Sequence, residues 1–129
     1  MTITEYAEIW RTSHRQKYNA KGIEYLQSNM VRHLEKGEPI DKNTLLTHGG
    51  YFGQCLIEIY GGSWNEDETG LYIILEGTSA KIYPIQIVQE YYENGDKYSV
   101  EHSVGPMFRG IPAQFNIQPK PKKKSWWQF

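Results

Sequence analysis

The apolar positions of the first third of the chain fall on a helical period. Ile3, Tyr6, Ala7 and Trp10 recur at the i, i+3, i+4, i+7 spacing of an amphipathic helix, with Tyr18 beyond them and Thr2 or Thr4 placed to cap it. The stripe weakens across Asn19-Ala20-Lys21-Gly22 and resumes at Ile23, Leu26, Met30 and Leu34, until Gly37-Glu38-Pro39 stops it. Two helices are predicted, or one with a weak point. Asp41 stands where the next helix needs a cap; Leu45, Leu46, Phe52, Cys55, Leu56 and Ile59 form its stripe, and Gly61-Gly62 its end. Gly49 and Gly53 each cost that helix about 1 kcal/mol of propensity relative to alanine. Close approach of another backbone is the expected compensation. This is expected to be the most buried helix, its glycines admitting a neighbouring sheet.

After Gly62 the period shortens. Ser63–Asn65, Leu71–Leu75 and Ala80–Tyr83 read as three strands separated by turns at Asp67–Gly70 and Gly77–Ser79. They predict an antiparallel meander with its apolar face on the preceding helix. Ile85, Val88 and Tyr92 fit a short helix begun at Pro84 and closed by Asn94-Gly95; a strand over Ile85–Ile87 is the less favoured reading. From Gly105 the prolines and glutamines leave no period, and the stretch is read as irregular. The expected fold class is α+β: N-terminal helices and a central buried helix on a small antiparallel meander, with a short additional helix and an irregular C-terminus. A single domain over residues 1–118 precedes a basic, aromatic tail over 119–129.

Gly49-Gly50-Tyr51-Phe52-Gly53-Gln54, followed by Gly61-Gly62-Ser63-Trp64, resembles small bacterial proteins of unknown function. In those a Gly-x-Tyr-x-Gly-Glu helix leads into a Gly-Gly-x-Trp strand and a meander. The resemblance spans roughly residues 45–95. It implies the helix-then-meander layout and a bacterial origin, and no activity. Gln54 stands where those proteins carry Glu, so no role resting on that carboxylate carries over.

Composition adds compartment and charge. A chain of 129 residues is the size of one domain, and its ten Tyr and four Trp supply core area that a hydrophobic fraction of 39% would otherwise lack. Cys55 is the single cysteine, which excludes an intrachain disulfide and a cysteine-based zinc cluster. The first residues show no basic-then-apolar leader, and no run approaches the ~20 apolar residues of a membrane span, so a cytoplasmic location is expected. The formal net charge of −1 conceals a division: without Lys120, Lys122, Lys123 and Lys124, ten basic groups face fifteen acidic ones. The body therefore repels phosphate backbones and draws cationic partners, and the tail does the reverse.

Candidate chemistry is sparse. Cys55 lies on the apolar stripe, and His48, two helical turns earlier, is about 10.5 Å away along the axis, beyond reach for a nucleophile and its base. A packed, inert thiol is expected. His14, His33, His48 and His102 lack metal-ligand spacing, and no cofactor or metal is expected. Glu66-Asp67-Glu68 lacks the ligand alternation of a calcium loop and reads as a solvated turn. Beside Trp64, that turn offers a docking surface to a basic partner. The tail, Pro119-Lys120-Pro121-Lys122-Lys123-Lys124 and then Trp126, Trp127 and Phe129, has four readings. It folds back into a groove on the body, serves as a motif for another protein, inserts at an anionic membrane surface, or pairs lysines with phosphates while tryptophan stacks on bases.

The expected function is that of a non-enzymatic bacterial interaction protein that binds another protein. An immunity-type neutraliser of a basic toxin is one form of it. The expected binding residues are Trp64, Glu66, Asp67, Glu68, Trp126, Trp127 and Phe129. Two alternatives stay open: a tail-mediated binder of membrane surface or nucleic acid, and a small enzyme with a pocket lined by Tyr51, Glu58, Tyr60, Trp64 and Tyr72.

Overall fold

The computed structural model describes residues 1–95 and 103–120. Along them run α1 (Ile3–Ser13), α2 (Ala20–Glu35), α3 (Lys42–Tyr60), β1 (Gly62–Asp67), β2 (Gly70–Leu75), β3 (Lys81–Ile82), α4 (Pro84–Asn94) and α5 (Val104–Phe115). This is an α+β fold, with helices packed around α3 and a small antiparallel sheet beyond its C-terminal end. Among the described residues, no helix is long and apolar enough to cross a membrane.

Each early helix starts at a side-chain cap that satisfies an otherwise unpaired backbone N–H. Thr2 Oγ1 accepts from Glu5 N at 3.2 Å while the Glu5 carboxylate accepts from Thr2 N, closing a capping box on α1. Asn19 Oδ1 accepts from Gly22 N at 2.8 Å on α2, and Asp41 Oδ1 from Thr44 N at 2.8 Å on α3. The N-terminal stripe does break into two helices, but at residues 14–19 rather than across Asn19–Gly22: Tyr18 lies outside any helix, and Ala20–Gly22 form the first turn of α2. Gly37, at φ +64°, ends α2: Gly37 N donates to Leu34 O and Glu38 N to His33 O, the paired bonds of a left-handed helix stop.

The meander runs β1-β2-β3, antiparallel throughout. β1 pairs with β2 from Gly62↔Leu75 to Asp67↔Gly70, which leaves Glu68-Thr69 as a two-residue turn. On β2 the inward residues Ile73 and Leu75 are fully buried, and Ile82 of β3 joins them. α4 begins at Pro84, where the missing N–H has no partner to lose, and presents Val88 and Tyr91 to the core.

α3 is buried on every side through His48–Gly53. Three glycines explain how neighbours approach so closely. A Cβ at Gly49 would lie 2.6 Å from Ile85 Cα of α4; one at Gly50, 3.0 Å from the Ile3 carbonyl of α1; one at Gly53, 2.3 Å from the Trp64 ring of β1. The expectation that these glycines admit the sheet is therefore corrected. Gly49 and Gly50 admit two helix backbones, and at Gly53 the sheet enters through the Trp64 indole, beside Pro84 of α4.

The stretch after Gly105 is also corrected: it is helix α5, not irregular chain. Val104, Met107, Phe108, Ile111 and Phe115 keep a helical stripe through two prolines. Pro106 sits in the first turn, whose N–H groups have no intrahelical acceptor, so only Pro112 removes a ladder bond. Asn116, at φ 54°, closes the helix in the left-handed region.

The start of the tail is part of the body. Lys120 N donates to Ile59 O at 2.7 Å, and its Nζ lies 3.0 Å from Glu76 Oε2. Lys122, Lys123, Lys124, Trp126, Trp127 and Phe129, and likewise His102, lie outside the described residues.

Candidate functional site

The residues singled out on the hairpin divide into internal braces and exposed charge. Asp67 is a brace. Its Oδ1 accepts from Thr69 N at 2.9 Å and Gly70 N at 3.2 Å, and its Oδ2 from Lys81 Nζ at 2.7 Å and Tyr83 OH at 2.8 Å. Those donors, the Lys81 ammonium first, hold its carboxyl down to about 2. Glu66 and Glu68 on either side are exposed. Trp64 lies between these roles: its ring rests on Gly53, and its Nε1 donates to Gln54 Oε1 at 3.2 Å. Gly53, Gln54 and Trp64 therefore form one packing unit across the α3–β1 junction.

The core absorbs the other reactive groups. Cys55 is fully buried, and desolvation pushes its thiol up to about 12. Tyr51 is buried beside it with its hydroxyl donated to the Lys17 carbonyl, the ring nested where Gly22 has no side chain. His48, 3% exposed, faces His33 (ring centroids 5.6 Å), Trp10 (6.1 Å) and Tyr92, whose hydroxyl lies 3.0 Å from His48 Nδ1. Burial drives this imidazole down to about 3, keeping it neutral. His14 stacks on the other face of the cluster, 4.3 Å from Trp10. His33 Nδ1 is 3.1 Å from Glu38 Oε2, off the angle of a hydrogen bond. Among the described residues, no group of three His, Cys, Asp or Glu side chains is arranged to hold a metal ion.

The side chains of the expected enzyme pocket are not assembled. Tyr51 and Tyr60 belong to the core, Trp64 covers Gly53, and Tyr72 lies on the sheet beside Tyr83 with the Lys81 ammonium 4.6 Å from its ring. Glu58 borders a separate concavity.

That concavity is a groove of about 850 Å³ at the C-terminal end of α3. One wall is Tyr18 to Lys21 at the start of α2, the floor is Ile57, Glu58 and Ile59, and Phe108 of α5 faces Pro119 and Lys120. Tyr18 is anchored by donating its hydroxyl to Glu8 Oε2 at 2.8 Å, and the Arg11 guanidinium beside Glu8 holds that carboxyl at about 2. Sequence reasoning nominated Glu58 and Lys120 and missed the apolar floor. The signal was Ile57, an apolar residue one position off the buried Leu56 stripe and only partly buried. Phe108 was hidden by reading its segment as irregular.

Charge is partitioned along the fold. From Asn43 to Gly95 there are seven carboxylates (Glu58, Glu66, Asp67, Glu68, Glu76, Glu90, Glu93) against Lys81, and Lys81 is held by Asp67. All of these carboxylates except Asp67 are exposed. Residues 1–42 carry six acidic and seven basic groups and are close to balance. The acidic character of the body thus resides in the meander and its flanking helices.

Comparison of the chain with protein-family models, with curated proteins and with solved structures finds no match.

Proposed function

We propose that this protein acts without catalysis, by binding a basic protein partner against the acidic meander. The observation that carries this reading is the partition of charge. Glu66 before the hairpin turn and Glu68 within it are exposed, and Glu90 and Glu93 extend the same sign along α4. A field of one sign speeds the encounter with an oppositely charged protein and discourages phosphate-bearing partners. Asp67 contributes by fixing the turn, and Trp64 by tying the strand to α3. The buried state of Cys55, the lone thiol, and of His48, the most enclosed imidazole among the described residues, supports a non-catalytic role. A bacterial cytoplasmic protein that neutralises a basic toxin is the specific form this takes, in line with the lone thiol and the resemblance of the Gly49–Trp64 stretch.

The test is capture from host lysate with wild type and Glu66→Lys/Glu68→Lys as baits. The wild type should retain one stoichiometric protein of net positive charge, weakening as salt rises, and the variant should lose it. Equal recovery by both baits, or no stoichiometric partner at native abundance, would sink the reading.

A further inference from the structure

The groove at the end of α3, about 850 Å³, plays no part in the reading above. We propose that the groove at the end of α3 is the seat of this chain's own segment 121–129, with Trp126 and Trp127 against Ile57, Ile59 and Phe108. Position, reach, chemistry and charge converge on that occupant. The chain is already in the groove at the point where the segment begins: Pro119 and Lys120 line it, and the Lys120 amide is fastened to the Ile59 carbonyl at 2.7 Å. Trp126 is six residues beyond Lys120, a span of at most roughly 20 Å, which is ample for lying along the floor or turning back over it.

The chemistry matches as well. Ile57 and Ile59 give the floor apolar area on either side of Glu58, and Tyr18 and Phe108 add aromatic side chains suited to an indole. A volume of about 850 Å³ lies within the ordinary range for a ligand pocket, roughly 300–1,000 Å³. Charge at the rim has the right sign: Lys120 is paired with Glu76 at 3.0 Å, and Glu58 stands exposed on the floor for one of Lys122, Lys123 or Lys124. Tethering supplies a local concentration on the order of millimolar, so weak contacts suffice to fill the groove. A seated segment also hides three aromatic side chains and neutralises one edge of the acidic surface.

The experiment uses the full chain carrying Gln128→Cys with a nitroxide on the new thiol; Cys55 is buried and escapes labelling. Amide signals of Lys21, Glu58 and Phe108 should broaden beyond detection, while those of Gln86 and Gln89 on α4 persist. Phe108→Ser, with helix content checked by circular dichroism, should restore the lost signals; Ile57→Ser serves the same purpose if that variant does not fold. Absent broadening at the groove, or broadening centred elsewhere, overturns the proposal. So does broadening that arises only between a spin-labelled and an isotope-labelled molecule in a mixed sample, which would place the segment on a second copy.

Discussion

Single side chains in this protein show how position decides chemistry. Cys55 has the residue type of a nucleophile, but burial favours its neutral form so strongly that the reactive thiolate is scarce at neutral pH. A disulfide reagent should therefore label it only as fast as the molecule opens, with urea accelerating the reaction in step with unfolding. Rapid labelling of the native state would show that the core around α3 is not closed. Gln54 is instructive in the opposite direction. Its part is to accept from the Trp64 indole, a task that a Glu carboxylate could also perform. Asp67 carries an acidic side chain in an acidic turn, yet its four hydrogen bonds assign it to holding the hairpin rather than greeting a partner.

At the level of elements, helix glycines sort by what would meet an added methyl group. Gly49→Ala should destabilise the protein by about 1–3 kcal/mol, because the new Cβ would meet the backbone of α4 at 2.6 Å and only a shift of that helix relieves it. Gly110→Ala in α5 meets nothing within 4 Å and should stabilise by up to about 1 kcal/mol through helix propensity. Urea midpoints of the two variants check both signs, and a stable Gly49→Ala would contradict the close packing. The capped helices, the meander with its turns, and Pro84 as the start of α4 were all legible, because caps, turns and periods are local signals. The identity of what presses on each glycine was not, since it depends on partners far along the chain. α5 was missed because prolines were read as breakers regardless of position, whereas Pro106 occupies the first turn. The groove was missed for a related reason: its walls come from four separated stretches, and only Ile57, off its stripe, hinted at it.

The molecule as a whole should respond to acid through the buried ring of His48. His14, His33 and His48 meet at the junction of α1, α2 and α3, with Tyr92 of α4 closing the group. His48 is held down to about 3 by desolvation, against about 6.5 in an unfolded chain. Between those values the unfolded chain binds the extra proton, so stability falls as pH falls, by about 1.4 kcal/mol per unit. His14, lowered by the same cause, adds to the trend. Denaturation midpoints from pH 6.5 to 4.5, above the range of the paired carboxylates Glu8 and Asp67, should show the decline, and His48→Gln should flatten it. A level profile for the wild type would mean the ring is more open to water than its 3% exposure implies. The bare backbone of α3 at positions 49 and 50 carries one more implication. A main chain has no alternative rotamers, so a bulkier residue at Ala7 or Ile85 cannot be absorbed locally and must displace an entire neighbouring helix. The middle of this protein is thus the part least able to drift in sequence, while the exposed positions of the hairpin, whose turn Asp67 holds, can change without disturbing it.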